Sequence, residues 1–246
     1  MATKGKSNAR RSVFPAPEAT PVVRDAETKL SLRLIKQIDL KAQTPSQRFY
    51  IKALRSDVPY IVGSGPAGTG KTYAAVVEAI AKLVEGSIDK IILTRPMVSV
   101  AEEQVGILPG GIIEKISPWC IPLLDIFKEY LGVSQVKSLL EREVLEIAPL
   151  AFMRGRTLKN AVVLVDEAQN CVPDQLKMLL TRIGENARMF ITGDIEQTDR
   201  RIGQNGLLDL INRIERNDNP NFAITFFGRR DIVRHSAIES VLSMYD

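Results

Sequence analysis

Short apolar runs alternate along the chain with longer amphipathic segments, and the two periods assign different elements. Four or five consecutive apolar residues bounded by glycine, proline or polar positions fit buried strands, whereas apolar residues three and four apart fit helices packed on a sheet. Strands are expected at residues 60–63, 90–94, 150–153, 161–165, 189–192 and 222–226. A helix opens at Pro45, Ser46 and Gln47 and carries Phe49, Tyr50, Ile51 and Leu54. Another follows residue 72, with Ala74, Ala75, Val77, Ile80, Ala81 and Val84 at helical spacing. Residues 119–131 and 136–146 read as helices of an insertion at about 112–147. Arg95-Pro96 closes the second strand, because the residue before proline is biased away from helix. Residues 27–42 fit a helix or a strand equally well. Residues 98–111 form a Gly-rich, acidic connection long enough to suggest a functional loop. No repeat is visible. Alternating strands and helices predict an α/β fold, a doubly wound, mainly parallel sheet with helices on both faces.

The bulk properties narrow this picture. A chain of 246 residues has room for one such core with modest additions. Its 45% hydrophobic and 25% charged content is that of a soluble globular protein, with no run long enough for a membrane span and no apolar centre of a secretion signal near residue 1. Cys120 and Cys171 are the only cysteines and His235 the only histidine, so neither a disulfide framework nor a zinc cluster is expected, and a reducing, cytoplasmic setting follows. The net charge of +4 and pI near 9.1 favour anionic partners. Lys4, Lys6, Arg10 and Arg11 lie in a Ser, Pro, Ala and Thr-rich stretch. Residues 1–23 therefore read as a disordered basic tail, either solubilising or adding non-specific affinity for phosphodiesters, and residues 24–246 as a single domain. No appended nuclease domain is expected, because the region before the core is too short to fold one.

The chemistry is concentrated at the ends of the expected strands. Gly65, Pro66, Ala67, Gly68, Thr69, Gly70, Lys71 and Thr72 form a complete P-loop between a strand and a helix. Its glycines let backbone N–H groups turn onto a polyphosphate, Lys71 supplies a charge for the β and γ phosphates, and the Thr72 hydroxyl can bind Mg2+. The strand at 161–165 runs into Asp166-Glu167-Ala168-Gln169, which puts two carboxylates where a parallel strand meets the ligand crevice. In P-loop proteins the first acid, here Asp166, holds Mg2+ and the second, Glu167, orients and deprotonates the attacking water. The pair points to hydrolysis. The strand at 189–192 leads into Gly193-Asp194-Ile195-Glu196-Gln197 and is expected between the other two, where Gln197 would touch the γ phosphate or the lytic water.

Several longer motifs occur in a fixed order: the P-loop, Pro149-Leu-Ala-Phe-Met-Arg-Gly-Arg-Thr157, Asp166-Glu-Ala-Gln-Asn170, Thr192-Gly-Asp194 with Gln197, and Asp231-Ile-Val-Arg-His235. Over roughly residues 44–245 the chain resembles the PhoH-like family, P-loop ATPases similar to the first motor domain of superfamily-one helicases. The resemblance implies a RecA-like P-loop NTPase core that hydrolyses ATP with Mg2+ and acts on nucleic acid, with RNA favoured over DNA. Gln47 resembles the glutamine that reads the adenine edge in helicases, a role suited to an amide with donor and acceptor. Thr94-Arg95-Pro96 resembles the segment that touches the nucleic-acid backbone, although Arg95 equally suits a buried structural role. Arg154 and Arg156 lie in the most family-specific segment, where a phosphate, nucleotide or subunit contact fits.

Helicases close ATP between two motor domains, and the second donates arginines to the transferring phosphoryl. With room for only one core, an arginine supplied in trans by a neighbour in a homo-oligomeric ring is expected, with Arg234 as candidate and Arg229 and Arg230 as competitors. Trp119 reads as packing rather than base stacking, His235 as uninvolved in catalysis, and residues 106–111 as a loop that would suit a ring's pore. A nucleotide-switched binding module with little turnover is the alternative reading. A small-molecule kinase would need an acceptor pocket and a basic lid, which no segment clearly supplies.

Overall fold

A computed structural model of the chain describes residues 38–96, 120–197, 205–233 and 244. The expectations for the tail at 1–23, the loop at 98–111, Trp119, Arg234 and His235 lie outside the described residues, as does most of the segment 27–42.

Six strands form one all-parallel sheet: β1 (Tyr60–Ser64), β2 (Lys90–Thr94), β3 (Leu145–Ile147), β4 (Ala161–Val165), β5 (Arg188–Gly193) and β6 (Phe222–Phe226), in the order β3-β2-β4-β5-β1-β6. β4 is buried at every position, as a central parallel strand covered on both faces must be, and the apolar run Ala-Val-Val-Leu-Val meets that demand. β5 lies between β1 and β4, so the strand carrying the P-loop and the strand carrying the acid pair are one strand apart.

Helices cover both faces. Helices α1 (Pro45–Arg55), α2 (Lys71–Glu85), α3 (Ile121–Leu131) and α4 (Val133–Glu141) pack with Ile61, Ile91, Leu93, Val162, Leu164 and Phe190. Helices α5 (Pro173–Leu180) and α6 (Gly206–Asn217) pack with Val62, Ile92, Val163, Val165, Met189 and Ile191 on the other face. Residues of opposite parity sort to opposite layers, the direct consequence of strand alternation. Among the described residues, no helix is long and apolar enough to cross a membrane.

Local sequence explains the helix ends that matter for the site. Thr44 and Gln47 cap α1 reciprocally, the Thr44 hydroxyl accepting from Gln47 N–H and the Gln47 Oε1 accepting from Thr44 N–H, with Pro45 in the first turn. Helix α2 begins instead at Gly70, in the left-handed region (φ 77°), without a side-chain cap. Its first N–H groups therefore face the loop rather than a cap.

Three expectations are corrected. Residues 150–153 are not a strand but a 3-10 turn (Leu150–Met153), in which Leu150 and Met153 are buried three positions apart and Phe152 is exposed. The spacing i, i+3 suits that tighter helix, and an apolar run alone does not separate it from a strand. The strand in this region is β3, which sequence periodicity assigned to the end of a helix. Finally, α4 starts three residues earlier than expected and stops at Glu141, because Glu143 turns into the left-handed region (φ 54°) and redirects the chain to the sheet edge.

Candidate nucleotide site

The site lies at the carboxyl ends of β1, β5 and β4, where an open parallel sheet presents its crevice. Gly65 N–H donates to Gly193 O across 3.0 Å and Phe227 N–H donates to Ser64 O across 2.8 Å, so the loop leaves β1 pinned on both sides. A side chain at Gly65 would strike the Phe227 backbone carbonyl and lie 2.7 Å from its Cβ. Glycine is required by that close approach. Within the loop, Pro66 O accepts from Thr69 Oγ1 (3.0 Å) and from Lys71 Nζ (3.2 Å). Burial lowers the Lys71 pKa, while the carboxylates of Asp194, Glu167 and Asp166 push it back up.

Thr72 and Asp166 meet across the crevice. The Thr72 hydroxyl donates to Asp166 Oδ1 at 3.0 Å, and Thr192 Oγ1 donates to the same oxygen at 2.8 Å. These oxygens suit a hard cation of the Mg2+ type, which takes one or two protein ligands and completes its shell with phosphate and water. No group of three or more His, Cys, Asp or Glu suited to a metal occurs among the described residues, so the donor set does not resemble an all-protein cage. Glycine-lined loop, uncapped helix start, Lys71 and this oxygen pair together fit a magnesium-bound nucleoside triphosphate.

Glu167 is held differently. Its backbone is left-handed (φ 54°), a conformation that costs a non-glycine residue on the order of 1–3 kcal/mol. Gln169 Nε2 donates to Glu167 Oε2, and Gln169 Oε1 accepts from Asp194 N–H at 3.1 Å. One buried amide thus links the ends of β4 and β5. Gly193 makes room for it: a Cβ there would lie 2.5 Å from Gln169 Oε1 and 2.6 Å from Leu207 Cδ2.

Gln47 borders the P-loop. Its Nε2 donates to Thr69 O at 3.1 Å and lies 3.3 Å from the position of a Cβ at Gly70, so the α1 start is fastened to the P-loop. Gln197 is exposed and its N–H donates to Asp194 O at 3.3 Å, which closes the turn after β5. The structure therefore brings together Gly65, Pro66, Ala67, Gly68, Thr69, Gly70, Lys71, Thr72, Asp166, Glu167 and Gln47, whereas for Gln197 it shows only the exposed turn after β5. Arg229 and Arg230 are exposed after β6. Just beyond them Val233 N–H donates to Gly68 O at 2.9 Å, so the residues immediately before Arg234 are tied to the P-loop of the same chain.

The family-specific arginines separate in role. Arg156 grips Glu146 with two guanidinium nitrogens, at 2.6 and 2.9 Å, while Lys90 Nζ reaches the same carboxylate at 2.7 Å. Burial raises the Glu146 pKa, but hydrogen bonds from Arg156 and Lys90 outweigh it and hold the carboxyl below its usual range. Arg156 thus fastens the turn after β3 to the sheet edge, and Arg154 is exposed. Arg95 is half-buried beside Cys120, whose thiol burial raises to about 12 against the opposing pull of the Arg95 charge. A cavity of about 370 Å3 lined by Leu40, Ala42, Arg48, Ile51, Lys52 and Arg55 runs along the outer side of α1 and does not coincide with the phosphate loop.

Sequence reasoning assigned no role to four residues. Asp194 is buried and exerts the strongest carboxylate pull on Lys71, and Gln169 bridges two strand ends. Asp231 accepts from Gly228 N–H at 2.9 Å and from the Thr44 and Ser46 hydroxyls. Tyr50 lies fully buried under β1. The Asp and Gln stand inside motifs visible in the sequence, but their partners come from elements far apart in the chain.

Comparison with known proteins gives the chain its relatives. The family model described as "PhoH-like protein" matches residues 39–246. PhoH-like proteins of Synechocystis and Bacillus subtilis are each 44% identical, over 84% of this chain and 62% and 64% of their own lengths. Protein PhoH of Escherichia coli is 41% identical over 83% of this chain and 57% of its length. The chain thus spans less than two thirds of each of these relatives. The Sulfolobus solfataricus SWI2/SNF2 ATPase core in complex with dsDNA aligns with 77% of this chain and 45% of its own, at 13% identity and a TM-score of 0.43. On the family model and on this level of identity across most of its length, the chain belongs to the PhoH-like family.

Proposed function

We propose that this protein is a magnesium-dependent ATPase whose turnover is coupled to nucleic acid. The observation that carries the reading is the Thr72–Asp166 contact at 3.0 Å, which sets the hydroxyl of the phosphate loop and the first acid of the pair at one point in the crevice. Bound Mg2+ would supply charge neutralisation between the phosphates there, with Thr72 and Asp166 as its protein ligands. The loop amides and Lys71 hold the phosphates, and Gln47 borders the base. Glu167, oriented by Gln169, accepts the proton of the attacking water, and Gln197 answers to the γ phosphate from the rim.

The polymer reading rests on the resemblance to helicase motors and on the positive net charge, with RNA favoured. The E. coli, B. subtilis and Synechocystis relatives carry family names only, and the dsDNA of the SWI2/SNF2 complex belongs to that protein. The two free, buried cysteines suit a cytoplasmic setting. For the arginine that completes the site, the first reading is Arg234 of a neighbouring subunit in a ring. A second reading, Arg234 acting on its own subunit's nucleotide, is favoured by the Val233–Gly68 hydrogen bond.

The deciding experiment measures phosphate release by wild type, Lys71→Ala and Glu167→Gln, with and without single-stranded RNA or DNA and with no added acceptor. Lys71→Ala is expected to lose nucleotide binding or turnover. Glu167→Gln is expected to bind ATP and to hydrolyse it about 10²–10⁴-fold more slowly. Normal hydrolysis by Glu167→Gln removes the assigned base. Binding without turnover in wild type, with or without polymer, returns the protein to a nucleotide-switched module.

A further inference from the structure

Tyr50 is fully buried, and its hydroxyl has no hydrogen-bond partner among the described residues. An unpaired buried hydroxyl opposes folding, and phenylalanine would fill the same space without that cost. Its place in the sheet gives the hydroxyl a use. Gly63 lies directly beneath it: a Cβ built there would be 3.0 Å from the Tyr50 oxygen and 2.9 Å from Cζ. Phe227 fixes the ring from the side, edge-on at 83° with centroids 5.4 Å apart.

Gly63 is paired in parallel register with Thr192 of β5. Paired residues of adjacent parallel strands point to the same face about 4.8 Å apart. The Tyr50 oxygen therefore stands over β1, the strand next to Thr192, on the Thr192 side of the sheet. Thr192 Oγ1 is the donor to Asp166 Oδ1. Ser64 and Thr94, the other buried hydroxyls without a partner among the described residues, follow the opposite parity and face the other layer.

We infer that Tyr50 is a positioning residue for the metal-side carboxylate, its phenolic hydroxyl donating through one water to the Thr192–Asp166 pair. This rests on the nucleotide reading of the site above. The role becomes necessary when magnesium claims the Thr72 hydroxyl, because Asp166 then loses one of its two hydroxyl donors. Tyr50 also belongs to α1, the helix whose start carries Gln47 on the P-loop. The same helix thus reaches the base side with its first turn and the carboxylate with its second.

The test is Tyr50→Phe, with Thr192→Val and the double variant completing a cycle. Four quantities are measured: thermal unfolding without nucleotide, ATP binding by calorimetry in EDTA, ATP binding with Mg2+, and the Mg2+ dependence of turnover. Tyr50→Phe is expected to unfold at the same or a higher temperature and to bind metal-free ATP within about twofold of wild type. Its Mg2+ requirement is expected to rise roughly tenfold, the worth of one hydrogen bond to a charged group. The effect should shrink once Thr192 is Val. Unchanged Mg2+ dependence, or full additivity of the two substitutions, overturns the inference. So does a lower unfolding temperature joined to weaker metal-free binding, since that marks a packing role. If wild type binds Mg-ATP without hydrolysing it, the ATPase reading fails while the binding measurements still decide the role of Tyr50.

Discussion

The Thr72 hydroxyl donates to Asp166 Oδ1 across 3.0 Å, joining residues 94 positions apart in the chain. This bond exists because β5 alone separates β1 from β4, so that the start of α2 and the end of β4 face each other over one strand. Thr192, contributed by that intervening strand, bonds to the same oxygen.

Replacing Thr72 with Val keeps the shape and removes the donor. A half-exposed hydrogen bond to a carboxylate contributes at the low end of its class, so denaturant unfolding should register a loss of about 1.5 kcal/mol. Magnesium-dependent ATP binding should weaken in the same variant. An unchanged midpoint would mean the bond contributes nothing to the folded state.

Gly193→Ala places a methyl 2.5 Å from Gln169 Oε1 and 2.6 Å from Leu207 Cδ2. Both neighbours are side chains, so the site can shift, at a cost of about 1–3 kcal/mol. Displacing Gln169 frees Glu167, and kcat should fall with little change in ATP affinity. Gly65→Ala meets backbone at Phe227 and is expected to be the more damaging of the two in thermal unfolding. Equal melting temperatures for the two variants would contradict that ranking.

Asp231 ties the segment after β6 to the α1 cap. Burial raises its pKa, but the Gly228 N–H and the Thr44 and Ser46 hydroxyls prevail, leaving it below the ordinary 3.8. Unfolding releases this carboxyl to its ordinary value, so the unfolded state binds more protons between the two pKa values. Its contribution is therefore complete above 3.8 and is lost as pH falls through the lower folded value. Asp231→Asn should lower stability at neutral pH and flatten the acid limb of the stability curve. An acid limb identical to wild type would remove Asp231 from this role.

Mixing Arg234→Ala and Lys71→Ala subunits separates the two arginine readings. A head-to-tail ring pairs intact loops with intact arginines at about one quarter of its sites, so activity should return on random mixing. No recovery assigns Arg234 to its own subunit, the arrangement favoured by the Val233–Gly68 bond.

Five of the six strands are legible in the sequence: the four interior ones, β1, β2, β4 and β5, because a strand covered on both faces needs an apolar run and a chain writes such a run locally, and β6, only partly buried at one edge, because its run Phe-Ala-Ile-Thr-Phe is rich in aromatic and β-branched residues. The sixth, β3, is three residues at the sheet edge, too short to carry a period, and only its pairing with β2 defines it. The neighbouring apolar run at 150–153 is a 3-10 turn that buries Leu150 and Met153, a spacing that packing selects and an apolar run alone does not reveal.

By itself the sequence determined the chemical inventory: a phosphate loop between strand and helix, and two adjacent acids at the end of a buried strand. These are contiguous in the chain, and their geometry follows from local backbone conformation. The tertiary structure decided which groups act on one another. The sharing of Asp166 by Thr72 and Thr192, the Gln169 bridge, the pull of Asp194 on Lys71 and the placing of the Tyr50 hydroxyl over Gly63, without a partner among the described residues, all depend on strand order and register. Order and register are set by packing among segments tens of residues apart, and no local pattern encodes them.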